Sequence, residues 1–250
     1  MARNFSVWSI SDLHLSFGVA NKSMDVFGPQ WKDHPDKIFH AWMRCIHPED
    51  LVLIAGDISW AIKLEDALPD LAWIEKLPGT KVLIRGNHDY WWKSLSKLQS
   101  LPFSSIHYIQ NNAFDFQDIS IGGSRLWDTW EFHFDDYIDY KNFPMVKPVS
   151  EEDKAKQQQV FDKEVHRLKT SLDALSKEAK VRIAMTHYPP IGPNMKESTV
   201  SRLLEKYEID FCVFGHLHNA RPNLQFGEKN GVRYFLTSCD YLNFKPIKIL

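Results

Sequence analysis

"IRGNHDYWW", Ile84 to Trp92, sets Gly86, Asn87, His88 and Asp89 between an apolar run and three aromatic residues. Gly, Asn and Asp are poor strand formers, so the strand that begins with "KVLI" at Lys81 must end here, in a polar turn. The same event occurs earlier in the chain. "FSVWSIS" leads to Asp12, and "LVLIA" from Leu51 leads to Gly56-Asp57. Between these runs lie two helix-like segments, "DKIFHAWMRCI" from Asp36 to Ile46 and "LEDALPDLAWIEKL" from Leu64 to Leu77. The second is interrupted at Pro69 and closed by Pro78-Gly79. Strand alternating with helix is the rhythm of a layered α/β domain.

The second half repeats the pattern with histidines. "VRIAM" from Val181 runs into Thr186-His187-Tyr188-Pro189-Pro190, and "DFCVF" from Asp210 runs into Gly215-His216-Leu217-His218. "RYFLTSC" and the terminal "FKPIKIL" are predicted as further strands. Residues 122–148 are rich in aromatics and Asp. The charged stretch from Glu151 to Lys180 is predicted as one long helix with Val160, Leu168, Leu172 and Leu175 among its apolar positions. With no internal repeat and no low-complexity linker, the expected organisation is a single domain over 1–250 with an insertion or cap at about 122–180.

The composition narrows the setting. A chain of 250 residues with 44% hydrophobic and 25% charged residues can bury a substantial core. No apolar run is long enough for a membrane span, and "MARNFSVWSISDLHL" lacks the apolar segment of a signal peptide. Cys45, Cys212 and Cys239 are too few and too scattered for a disulfide framework or a structural zinc site, which fits packing roles in a reducing, cytoplasmic setting. A formal net charge of −2 builds in no long-range attraction to nucleic acid or acidic membranes.

Open α/β sheets gather function outside the carboxyl ends of their strands, so the polar strand ends can converge on one crevice. The residues they offer are Asp12, His14, Asp57, Asn87, His88, Asp89, His187, His216 and His218. Carboxylate, imidazole and carboxamide donors together suit divalent Mn, Fe, Co, Ni or Zn better than an all-oxygen Ca or Mg cage. Seven candidate ligands (Asp12, His14, Asp57, Asn87, His187, His216, His218) exceed one four-coordinate site. They fill two centres if one carboxylate bridges.

Asp12-x-His14, Gly56-Asp57, Gly86-Asn87-His88-Asp89, His187 and Gly215-His216-x-His218 resemble, in order and at strand ends, the five signature blocks of the calcineurin-like metallophosphoesterase superfamily. The resemblance spans Asp12 to His218. It implies a four-layer αββα sandwich, in which two mixed β-sheets are flanked by helices, of the metallo-dependent phosphatase type. It also implies that Asp12, His14 and His218 hold a first metal and Asn87, His187 and His216 a second, with Asp57 bridging. Manganese is the favoured ion. On the same resemblance His88 is not a ligand but assists at the phosphoryl group, and Asp89 orients it by accepting a ring N–H. The implied reaction is hydrolysis of a phosphate ester, diester before monoester, by water activated between two metals, with no covalent phosphoenzyme.

Departures from related branches narrow this further. "GDISWA" and "GNHD" stand where protein Ser/Thr phosphatases carry Gly-Asp-x-x-Asp-Arg-Gly and a third block ending in Glu. His88 stands where the lipid A pathway pyrophosphohydrolases carry Arg. The longer string from Gly56 to Trp92 resembles a bacterial group of predicted phosphohydrolases. A small-molecule or nucleotide phosphoester is therefore the expected substrate. A nuclease, with nucleic acid as partner, and a non-catalytic metal-binding scaffold are the alternatives. Two segments are candidates to roof the crevice, "SFGVANKSMDVFGPQW" from Ser16 and "GGSRLWDTWEFHFDDYIDYKNF" from Gly122. Within them Lys22 and Arg125 are candidates to touch the phosphate. Tyr90, Trp91 and Trp92 are expected in a helix packed on the sheet, and the histidines outside the motifs are expected to serve surface or packing.

Overall fold

The computed structural model describes residues 3–20, 22–139 and 150–250. In chain order the elements are β1 (Val7–Ile10), α1 (His34–Cys45), β2 (Leu51–Ile54), α2 (Leu64–Glu75), β3 (Thr80–Leu83), α3 (Leu95–Gln99), β4 (Ile106–Tyr108), β5 (Phe114–Phe116), β6 (Ile119–Ser124), α4 (Glu151–Asp173), β7 (Val181–Thr186), α5 (Thr199–Lys206), β8 (Phe211–Phe214), β9 (Glu228–Lys229), β10 (Val232–Leu236) and β11 (Ile247–Lys248).

They form two mixed sheets. The first has the order β11-β1-β2-β3-β4, parallel except for β11. The second has the order β5-β6-β7-β8-β10-β9, parallel from β6 to β10 with an antiparallel strand at each edge. Their side chains show why this is a four-layer sandwich. Along β2, Leu51 and Leu53 join Val7, Val82, Ile121, Ile183 and Val213 in a core between the sheets. Val52 and Ile54 face the other way, onto Ile38 and Trp42 of α1 and Leu71 and Ile74 of α2. Strands buried on both faces need no polar alternation, hence the continuous apolar runs. Ala184, Cys212 and Tyr234 of the second sheet pack likewise on Leu168 and Leu172 of α4 and Val200 and Leu204 of α5.

Several expectations are adjusted. The helix α2 runs unbroken through Pro69. Burial of Leu64, Leu71 and Ile74, at roughly 1.5–3 kcal/mol each, outweighs the roughly 3 kcal/mol cost of an interior proline. The helix α4 stops at Asp173 rather than Lys180. The chain then turns, with the Ser176 N–H donating to Ser120 Oγ and the Lys180 N–H to the Asp118 carbonyl, to feed β7 beside β6. Tyr90 and Trp91 form a turn, not a helix: the Tyr90 N–H donates to the His88 carbonyl and the Trp92 N–H to the Asp89 carbonyl.

The segment 122–180 is only in part a candidate cap. Gly122, Gly123 and Ser124 complete β6, an inner strand of the second sheet, and α4 covers that strand through a Gly123 N–H to Ser171 Oγ bond of 2.7 Å. Residues 140–149, including the end of the second roofing segment, lie outside the described residues, as does Asn21 in the first.

Candidate metal centre

The carboxyl ends of β1, β2, β3, β7 and β8 meet at one edge of the sandwich, where the two sheets are joined. The Ser11 N–H donates to the Thr237 carbonyl (2.7 Å) and the Cys239 N–H to the Ser11 carbonyl (3.0 Å), tying β1 of one sheet to the end of β10 in the other. The strand-end loops are also laced laterally, with the Asp12 N–H on the Gly56 carbonyl and the His14 N–H on the Asp57 carbonyl. This packing explains two glycines of the motifs. A Cβ on Gly86 would lie 2.1 Å from Asp57 Oδ1, and one on Gly215 would lie 2.3 Å from Asp12 Oδ2, so only glycine lets these loops approach so closely. Asp12, His14, Asp57 and His216 all adopt left-handed backbone conformations, with φ between 45° and 72°. Such φ values are costly for side-chain-bearing residues and cluster at functional sites.

The donor atoms fall into two adjoining sets. In the first, His218 Nε2 lies 3.2 Å from His14 Nε2 and 3.6 Å from Asp12 Oδ1. In the second, Asn87 Oδ1 lies 2.7 Å from His187 Nε2 and 3.1 Å from His216 Nδ1. Asp57 Oδ2 stands between them, 3.8 Å from His14 Nε2 and 3.4 Å from His187 Nε2. Asp12, His14, Asp57 and His187 are buried, and metal-binding spacing is met by Asp12-His14-His218 and by Asp12-Asp57-His187.

The hydrogen bonds behind the rings fit a cation. His187 Nδ1 is 2.9 Å from the Ala55 carbonyl and His218 Nδ1 is 2.9 Å from Asp240 Oδ1. Both acceptors require the proton on Nδ1, so in the neutral ring the lone pair sits on Nε2 and points at other lone pairs: Asn87 Oδ1 and Asp57 Oδ2 for one ring, Asp12 Oδ1 for the other. Such convergence is repulsive unless a proton or metal ion lies among the atoms. Burial pushes His14 and His216 well below the ordinary histidine range, leaving them neutral donors. Burial also opposes charge on His187 and His218, but Asp57 and Asp240 outweigh it and raise each to about 9. A divalent cation and a ring proton are alternative ways of satisfying the same carboxylates.

Sequence reasoning missed Asp240, which accepts from His218 Nδ1 and from the Asn219 N–H. It closes the run "RYFLTSCD" as Asp12 and Asp57 close theirs, so the rule of a carboxylate at a strand end would have found it. Ser11, whose hydroxyl donates to Asp12 Oδ2 (2.6 Å), carried no such signal.

The remaining predicted residues divide. The His88 ring stands 5.7 Å from His14 and 4.5 Å from Trp60, centroid to centroid, and its backbone N–H donates to Asp57 Oδ1 (2.8 Å). Asp89 requires a correction. Its carboxylate accepts from the N–H groups of Ile58, Ser59 and Gly86 and from Trp91 Nε1, and among the described residues no hydrogen bond joins it to the His88 ring. Two strand-end loops claim its lone pairs, so it braces the backbone that carries His88. Arg125 is also corrected. It pairs with Glu164 of α4 at 3.0 Å and packs over Trp127, in a cleft lined by none of the seven candidate ligands. Its carbonyl, not its guanidinium, serves the centre by accepting the His187 N–H. Lys22 lies with its Nζ 5.8 Å from the Trp60 ring, at the aromatic wall beside the first donor set.

Two clefts flank the centre. One, of about 220 Å³, is lined by His14, His88 and His218 together with Met24, Phe27, Trp31 and Trp60. The other, of about 500 Å³, reaches His216 between Trp127, Trp130, Phe132 and Pro189. Both roofing segments therefore border the candidate ligands.

The calcineurin-like phosphoesterase family model matches residues 5–220. The gene 66 protein of Mycobacterium phage D29 is 32% identical over 111 residues, which make up 43% of this chain and 54% of that protein. Its counterpart from Mycobacterium phage L5 is 34% identical over 88 residues, 34% of this chain and 40% of that protein. The chain thus spans about half, or less, of the length of these curated relatives. Among solved structures, phosphopantetheinyl hydrolase (PptH) from Mycobacterium tuberculosis superposes with a TM-score of 0.54 at 12% identity, over 98% of this chain and 96% of that one, a likeness of fold.

Proposed function

The chain belongs to the calcineurin-like phosphoesterase family, and from that premise we propose that it hydrolyses small phosphate esters, diesters before monoesters. The catalytic centre would be dinuclear, held by Asp12, His14, Asp57 and His218 on one side and by Asp57, Asn87, His187 and His216 on the other. The observation that carries this is the convergence of ring nitrogens from both sheets on Asp57 Oδ2, His14 Nε2 at 3.8 Å and His187 Nε2 at 3.4 Å. Divalent cations bound there supply Lewis acidity and make water nucleophilic near neutral pH. The mixed imidazole, carboxylate and carboxamide set suits Mn, Fe, Co, Ni or Zn, among which the family resemblance favours manganese. Free, mostly buried thiols suit a reducing cytoplasm.

The residues of the chain divide the remaining work. Asp57 is the shared carboxylate, and the His88 N–H on its other oxygen fixes its orientation. Burial holds His88 below the ordinary histidine range, so near neutral pH its ring is an uncharged N–H donor toward a phosphoryl oxygen or leaving group. The two clefts support the diester preference, because a diester carries two organic substituents and the centre has a recess on each side, an apolar-walled one and a larger one of mixed polarity. Neither recess is lined by Lys or Arg among the described residues, and the larger is lined by Asp128 and Asp135. That disfavours a polynucleotide, whose phosphates need a basic groove. The whole chain acts as a single domain on this reading.

The test is a metal-reconstituted assay of an aryl phosphodiester, the matching monoester and a short oligonucleotide, with Asp57→Asn as the blank. The expected result is the highest kcat/KM for the diester. Preference for the monoester or the oligonucleotide overturns the substrate class. No turnover of any of them by fully loaded protein would favour a scaffold.

A further inference from the structure

The cleft that captures Arg125 lies behind β6 and holds none of the candidate metal ligands. It is lined by Arg85, Arg125, Arg167 and Glu164, with Trp92 and Ser124 among its walls. Three guanidinium groups thus surround one carboxylate. Glu164, 2% exposed, accepts on Oε1 from both Arg125 at 3.0 Å and Arg167 at 2.6 Å. Arg85 gains no share: among the described residues its guanidinium makes no hydrogen bond or ion pair. Arg85 Nε and Arg125 Nε are both buried without a partner. Asp89, the other carboxylate whose field reaches Arg85, has its oxygens occupied by backbone and indole N–H groups. Both guanidinium-bearing side chains line the cleft and each keeps one N–H without a partner, beside a third like charge from Arg167 and with a single carboxylate among them.

We propose that this cleft binds a tetrahedral inorganic oxyanion of the phosphate class, at a site separate from the metal centre. The chemistry matches in charge, shape and size. Guanidinium forks present paired N–H groups at the spacing of phosphate oxygens. The surplus of two positive charges over the lining carboxylate matches a monohydrogen phosphate. The cleft, about 80 Å³, has room for an ion of a few heavy atoms. The ion would also touch both halves of the fold. Arg85 directly precedes Gly86-Asn87 at the end of β3, whereas Arg125 follows β6 and accepts the His187 and Tyr188 N–H groups on its carbonyl. Occupancy therefore braces two loops that each carry a candidate ligand, one from each sheet. The inference is independent of the reaction assigned to the metal centre.

The test is calorimetric titration of the chelator-treated full chain with inorganic phosphate, so that no bound cation competes for the ion. The expected result is one site of millimolar affinity or better (about −4 kcal/mol or stronger). Arg85→Gln and Arg167→Gln should each weaken it about tenfold or more, and Asp57→Asn should leave it unchanged. Arg167, with a side chain 40% exposed, is the variant least exposed to a folding defect, and circular dichroism checks both. Absence of binding, or binding that the Arg variants spare and Asp57→Asn removes, overturns the proposal. The latter result would assign the ion to the metal centre.

Discussion

Asp57 Oδ2 lies between one ring of each donor set, and its folded state is charged: burial opposes ionisation, but His187, His14 and His88 together hold it well below the usual carboxylate range. On the proposed dinuclear reading, neutralising it would remove charge from two cation sites at once. Asp57→Asn should therefore lower metal content at both and nearly abolish turnover; elemental analysis showing two full equivalents with normal activity would refute the bridge. His88 differs, because it touches Asp57 only through its backbone N–H while its ring faces the cleft. His88→Ala should cost ~10²- to 10⁴-fold in kcat and keep its metal. Loss of metal in proportion to activity would make it a ligand instead. Asp240 acts through His218. Asp240→Asn should weaken cation affinity at the first set by about 10- to 100-fold, measured by competition with a chromogenic chelator, and leave the second set filled.

Single elements carry liabilities of their own, and β3 carries one in Lys81. This fully buried lysine donates to the Leu77 carbonyl (2.6 Å) and the Glu75 carbonyl (3.3 Å), closing the end of α2. Burial lowers its pKa to about 8, with Glu75 opposing. In the unfolded chain a lysine titrates near 10.4. Below pH 8 it is charged in both states and the full cost of burying the charge is felt. Between pH 8 and about 10.4 the folded state releases its proton first, so unfolding free energy rises with pH. The wild-type chain should thus gain about 2–3 kcal/mol over Lys81→Met between pH 7 and pH 10. Urea midpoints that shift in parallel across that range would show the lysine to be neutral or solvated throughout.

At the scale of the whole molecule, the centre is a joint between two sheets, with β1, β2 and β3 supplying one side and β7 and β8 the other. Cations bound there stabilise the folded chain by linkage, about 4 kcal/mol at a thousandfold excess over Kd. Chelation should lower Tm by several degrees and readdition should restore it. In Asp57→Asn the shift should shrink, and an unchanged Tm in the wild type would argue against cation binding across the joint. The sequence alone determined the strand runs and the polar residues that end them, because strands buried on both faces must be continuously apolar and their ends must turn. It could not show β6, since "ISIGGS" hides an inner strand behind two glycines and two serines whose burial depends on α4 lying across them. Nor could it aim Arg125 or Asp89. A guanidinium at a strand end can turn to either side, and only the position of Glu164, 39 residues later on α4, decided which. Asp89 likewise could have served the ring of its neighbour, until packing of the β2 and β3 loops brought three backbone N–H groups to its oxygens. Short-range pattern fixes which residues reach the edge of the sheets. Where their side chains point is settled by partners distant in the chain, which only the assembled tertiary structure supplies.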